Sequence, residues 1–221
     1  MNEGRDMADL PGDEEGIFDL WPTKFVRRRL DGCEPWNKEL AKLIRELERT
    51  NKNLTTDYLK PDLFNMDHPA VNWLRDQVNA TVIDYLRHLG IDYAVNWQIV
   101  GWPNINRLGD YHDSHNHPWS YLSGTYYVKM PAGREPLQTR GDVRPGCITF
   151  YDPRPGVNMT AIKNDPYVDP EYTVLPEPGL LLMWPAFINH FVHPNLSKET
   201  RISISFNIVL KWSDDYLPDQ G

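Results

Sequence analysis

From Tyr93 onward the apolar residues recur with a period of two, and Pro, Gly, Asn or Asp interrupts them every few residues. Alternation of this kind sends successive side chains to opposite faces, which is the pattern of a half-buried strand. It predicts strands at 93–102, 110–117, 122–130, 146–151, 172–175, 179–184, 190–194 and 201–211. Eight short strands after two helices predict a mainly β chain. The expected fold is a double-stranded β-helix (a jelly roll, cupin-like) with two flanking α-helices on one face.

Upstream the period is different. Leu40, Leu43, Ile44 and Leu47 recur at spacings of three and four, predicting a helix over 34–49. A second helix is predicted over 69–89, with Asp67 as its cap, Pro69 in its first turn and Gly90 ending it. Its stripe of Val71, Leu74, Val78, Val82, Tyr85 and Leu86 suits packing on a sheet. Residues 1–16 read as a flexible tail. Residues 17–221 then form one domain, with helical support over 34–89 and the roll over 90–211. The Pro-rich stretch 152–171 is too long for a hairpin turn and reads as a lid.

Composition excludes several classes of partner. The chain has 23 basic and 31 acidic residues, a net charge of −8, which argues against nucleic acid because phosphates demand clustered Lys and Arg. The one basic run, Arg27-Arg28-Arg29, lies within an apolar–polar alternation and reads as a solvated strand face. No apolar run approaches the ~20 residues of a membrane span, and the acidic start has no apolar core of a signal peptide. Two cysteines, Cys33 and Cys147, make no disulfide framework. A cytoplasmic setting is expected, and an early strand and helix leave a homodimer open.

The final strand carries the clearest message. Arg201, Ser203, Ser205 and Asn207 share one face, and Ile202, Ile204, Phe206 and Ile208 share the other. A row of polar groups facing inward is costly unless it lines a wet or charged cavity. Five of the seven histidines fall in two clusters. Period two puts Asp113, His115 and His117 on one face and His112 on the other. His190 and His193 differ by three, so only one of them can join the first cluster. Paired imidazoles, a third from a distant strand and a nearby cation suit a mononuclear non-haem iron site with open coordination positions. His68 and His88 lie on helical segments and are given no role.

The runs Gly109-Asp110-Tyr111, His115-Asn116-His117-Pro118 and Leu122-Ser123-Gly124-Thr125-Tyr126-Tyr127-Val128 resemble the iron(II)/2-oxoglutarate-dependent oxygenases. So do Pro178-Gly179-Leu180 to Trp184-Pro185, His190-Phe191-Val192-His193-Pro194 and Arg201-Ile202-Ser203-Ile204-Ser205-Phe206-Asn207. The resemblance spans roughly residues 90–210 and is nearest to a little-characterised branch with a His-x-His first motif. It implies iron(II) as metal and 2-oxoglutarate as co-substrate. The first ligand would be His115 and the distal ligand His190. Arg201 would clamp the far carboxylate of 2-oxoglutarate, with Ser203 on the same face. Tyr127 sits where prolyl-hydroxylase-like members place a co-substrate tyrosine.

One departure stands out: the position expected to carry a carboxylate is His117. Three neutral imidazoles leave the metal one negative charge poorer and more open to zinc or nickel. Asp113 is the alternative ligand, while Pro118 and the turn after it match the family's spacing for His117. The implied activity is hydroxylation of an undetermined small-molecule or peptide substrate. Two rivals are a cupin-like three-histidine metalloenzyme that does not use 2-oxoglutarate, and a non-catalytic binding module. Arg201 and Ser203 oppose the first, since such a site needs no second anchor there.

Overall fold

The protein is described from a computed structural model covering residues 22–51, 54–55, 63–132, 140–155 and 170–213. The expected tail and residues 156–169 of the expected lid lie outside them. Among the described residues the chain forms nine strands and two long helices. In chain order they are β1 (Val26–Arg29), α1 (Glu34–Thr50), α2 (Pro69–His88), β2 (Trp97–Asn106), β3 (His112–His115), β4 (Leu122–Lys129), β5 (Ile148–Tyr151), β6 (Glu171–Val174), β7 (Leu180–Pro185), β8 (His190–Val192) and β9 (Arg201–Leu210). A 3-10 turn over Leu63–Asn65 precedes α2.

The strands form two antiparallel sheets, a larger one ordered β1-β7-β4-β9-β2 and a smaller one ordered β3-β8-β5-β6. This is the expected jelly roll. Two apolar layers follow from the alternation. On one face of the larger sheet, Tyr126, Leu181, Met183, Ile202, Ile204 and Phe206 pack with Leu40, Ile44, Leu74 and Val78 of the helices. Each such aliphatic side chain contributes roughly 1.5–3 kcal/mol through burial. On the other face Tyr127, Leu182 and Trp184 meet Ile148, Phe150 and Val174 of the smaller sheet. The helices therefore lie outside, and the space between the sheets is the interior of the roll.

Some boundaries move for physical reasons. Sequence predicts the first strand of the roll to end near Pro103, yet β2 runs on to Asn106. β2 is an edge strand, and the N–H and C=O of Ile105 both turn away from β9 to the Thr55 hydroxyl. Pro103 has the same parity, so its missing N–H falls on the free edge, where proline costs no ladder bond. The cap of α2 is also displaced. His68 Nδ1 accepts from the Ala70 N–H at 3.2 Å, whereas the Asp67 carboxylate accepts from the Asn72 amide at 3.4 Å. His68 thus has a structural role that sequence did not assign. The basic run divides as a strand should: Arg27 and Arg29 are exposed, while Arg28 turns to α2 and pairs with Asp84 at 2.7 Å.

Candidate metal centre

The inner face of the larger sheet grades from apolar to polar. β7 supplies Leu182 and Trp184, and β4 supplies Ser123, Thr125 and Tyr127. β9 supplies Arg201, Ser203, Ser205 and Asn207, and β2 supplies Trp102, Asn104 and Asn106. Cross-strand register lines up Tyr127, Ser203 and Asn104 in one row and places Arg201 beside Asn106. Arg201 is 1% exposed, and its guanidinium donates to the His193 carbonyl at 3.5 Å. The predicted co-substrate residues Arg201, Ser203 and Tyr127 are therefore brought together on two neighbouring, inward-facing strands.

The smaller sheet delivers the imidazoles. His115 ends β3 and lies opposite His190, the first residue of β8. His117 has left the strand, but its backbone N–H donates to the Ala186 carbonyl at 3.0 Å, which holds the chain in reach. One ring nitrogen from each of His115, His117 and His190 can be chosen so that all three lie within 4.8 Å of one another. Their ring centroids are 5.1 Å (115–117), 4.3 Å (115–190) and 5.3 Å (117–190) apart.

Asp113 does not join them. It is exposed, and its carboxylate accepts from the Ser114 N–H at 2.7 Å. Period-two parity, which puts Asp113 beside His115, fails because the β3–β8 register shifts between His112 and His115. The same irregularity turns His112 inward, against expectation. Its Nε2 lies 3.2 Å from the Asn106 amide, and its pKa is held down to about 4 by burial and by the Arg201 charge. His193 is committed elsewhere: its Nε2 pairs with the Thr149 hydroxyl at 2.8 Å and its Nδ1 accepts from the Arg144 N–H at 3.1 Å.

The ligand atoms suit a divalent metal. His115 Nδ1 lies 2.6 Å from the Asp113 carbonyl and His190 Nδ1 lies 3.2 Å from the Ile188 carbonyl. An Nδ1–H donating to each carbonyl leaves Nε2 as the free lone pair, the usual arrangement behind a metal-bound histidine. Burial and the neighbouring rings hold the His190 pKa down to about 3, and burial and His115 hold that of His117 down to about 4. Both rings are then neutral, as coordination requires. Nearby, the Asn104 and Asn106 side-chain oxygens and the Trp184 indole nitrogen are buried without a hydrogen-bond partner among the described residues. Orphaned polar atoms at this depth mark an interior that a polar ligand or water completes.

Sequence reasoning passed over Asn104, Asn106 and Ser123. Asn104 and Asn106 have the alternating spacing of an inward-facing row, but stopping the strand near Pro103 concealed it. Ser123 carries no signal of its own and acquires a setting only from its partner on β9, Asn207.

Comparison with known proteins agrees with this architecture. Residues 101–207 match the family described as "Putative 2OG-Fe(II) oxygenase". No curated protein sequence matches the chain. Among solved structures, a Pseudomonas putida prolyl-4-hydroxylase superposes with a TM-score of 0.56 at 11% identity, over 85% of this chain and 88% of that one. A Trichoplax adhaerens prolyl hydroxylase, solved with a hypoxia-inducible-factor peptide fragment, gives 0.55 at 13%, over 84% and 83%. HygX from Streptomyces hygroscopicus, solved with nickel and 2-oxoglutarate, gives 0.55 at 13%, over 85% and 82%. The identities are low enough that these neighbours speak for the fold, while the family match covers the very strands that carry the imidazoles and Arg201. Over residues 101–207, which carry all three imidazoles and Arg201, the chain thus matches a family of iron(II)- and 2-oxoglutarate-dependent oxygenases.

Proposed function

We propose that this oxygenase is a hydroxylase whose metal is held by His115, His117 and His190. In this reading 2-oxoglutarate is held through its far carboxylate by Arg201, with Ser203 and Tyr127 beside it. The single observation that carries the reading is that three imidazole nitrogens within 4.8 Å share the roll's interior with a buried guanidinium. A buried cation is costly alone and favourable beside an anion. The planar guanidinium matches a carboxylate with two parallel hydrogen bonds, which a lysine cannot do. Bound iron would supply the oxidising chemistry, coupling decarboxylation of 2-oxoglutarate to hydroxylation of a substrate C–H bond. The residues of this chain would hold metal and co-substrate in register and keep bulk water from them.

The substrate proposed is a small molecule or a peptide, in keeping with the peptide in the Trichoplax complex. Among the described residues no helix is long and apolar enough to cross a membrane. Cys33 and Cys147, both buried and not joined in a disulfide, support a reducing, cytoplasmic setting. A homodimer would form through β1, the outer strand of the larger sheet. The test is release of succinate and carbon dioxide from 2-oxoglutarate by the full chain, with iron(II) and after chelation. Metal-dependent release supports the reading. Tight metal binding without any consumption of 2-oxoglutarate would favour the cupin-like rival.

A further inference from the structure

Two of the three imidazoles are oriented by their own segments, each through the carbonyl two residues earlier: Asp113 for His115 and Ile188 for His190. The group facing His117 Nδ1 comes instead from β9. It is the Asn207 carboxamide, whose nitrogen lies 3.4 Å away. Its oxygen lies 2.6 Å from the hydroxyl of Ser123, the residue directly opposite on β4.

The orientation of that amide matters. An amide N–H pointed at Nδ1 would occupy the Nδ1 lone pair and favour the tautomer with hydrogen on Nε2, which leaves Nε2 no lone pair for a metal. A half-turn of the amide exchanges its nitrogen and oxygen, a choice set by the surrounding hydrogen bonds. The oxygen then accepts from Nδ1–H, Nε2 presents its lone pair, and the NH2 group donates to the Ser123 hydroxyl. Both partners tolerate the exchange, because a hydroxyl donates or accepts.

We infer that Asn207, aligned by Ser123, is the positioning residue for the second metal ligand, selecting the His117 tautomer that binds the ion. The inference rests on the ligand reading proposed above. It also explains why the polar row of β9 extends beyond Arg201 and Ser203, to a residue deep enough to reach the metal end of the roll.

Cobalt(II) is a suitable probe, titrated into the metal-free full chain in competition with a chromophoric chelator, with its d–d absorption recorded. Asn207→Leu keeps the volume but loses the acceptor and should weaken cobalt binding roughly 10- to 100-fold, the usual loss when a partner behind a ligand is removed. Asn207→Asp restores an acceptor, now anionic, and should bind at least as tightly as the natural protein with a shifted d–d band. Binding within about two-fold of the natural protein in Asn207→Leu, or equal losses in the Leu and Asp variants, would overturn the inference. If Asn207→Leu fails to fold, Ser123→Ala decides the matter: a several-fold weakening supports the inference and none refutes it. His117→Ala separates the two levels. Unchanged cobalt affinity there removes the ligand reading itself, whereas loss there without loss in Asn207→Leu removes only the role of Asn207.

Discussion

His190 lies directly opposite His115 across the antiparallel pair β3–β8, with ring centroids 4.3 Å apart. Two residues remote in sequence thereby become the most closely placed pair among the three imidazoles. In the proposed ligand set β8 supplies His190 alone, so no neighbour can replace it. His190→Ala should abolish binding of iron(II) or cobalt(II), measured as metal content after gel filtration. His193→Ala should keep the metal. That ring serves Thr149 and the Arg144 N–H, so its removal should appear as lost stability of about 1–3 kcal/mol for an unsatisfied buried donor. Retention of metal by His190→Ala would sink the assignment.

The second ligand separates by the same measurement. His117→Ala should lower metal occupancy sharply, and Asp113→Asn should leave it nearly unchanged, since that carboxylate is exposed and held by the Ser114 N–H. The reverse outcome would return the site to two histidines and a carboxylate.

Arg201 should govern 2-oxoglutarate affinity and not metal content. Arg201→Lys retains the charge but loses the paired hydrogen bonds of the guanidinium. Calorimetry should show 2-oxoglutarate binding weakened by on the order of 1–3 kcal/mol, with metal affinity preserved. Equal affinity for 2-oxoglutarate in the two proteins would argue for the cupin-like alternative.

Acid should destabilise the metal-free protein through its buried imidazoles. His112 and His117 are held down to about 4, and His190 to about 3, in each case chiefly by burial. In the unfolded chain these rings take up protons as pH falls through the ordinary value near 6.5, while in the folded chain they remain neutral to about pH 4. Between those values the unfolded state binds more protons, so stability is full above pH 6.5 and declines as pH falls toward 4. The urea midpoint of chelated protein should be lower at pH 5 than at pH 7.5. A midpoint that rises on acidification would show that these rings are not buried neutral.

The packing of the larger sheet offers a test independent of any ligand. At Gly124 of β4 a Cβ would run into the Phe206 ring and come within 2.7 Å of the Leu182 carbonyl oxygen. A backbone carbonyl cannot yield as a flexible side chain does. Gly124→Ala should therefore cost about 1–3 kcal/mol and lower the melting temperature without altering the ligand set.

The sequence by itself determined whatever depends on near neighbours. The alternation from Arg201 to Ile208 specified one polar and one apolar face of β9, because side chains two apart on a strand must share a face. The stripe from Val71 to Leu86 likewise specified the buried face of α2, and all six of its apolar residues are buried. The His-x-His pair and Arg201 were legible as local motifs, whereas the choice of His190 over His193 came from the resemblance to a known family.

Only the tertiary structure decided what depends on register. The irregularity between His112 and His115 arises from how β3 meets β8, and it overrides the parity that would set Asp113 beside His115. It also sends His112 inward, toward Asn106 and Arg201. The pairing of Ser123 with Asn207, and the alignment of Asn104 with Ser203 and Tyr127, come from long-range strand contacts that leave no mark on either segment alone. A strand's own pattern says which side chains share a face. Which of them meet across the sheet is settled by hydrogen bonds to partners far away in sequence.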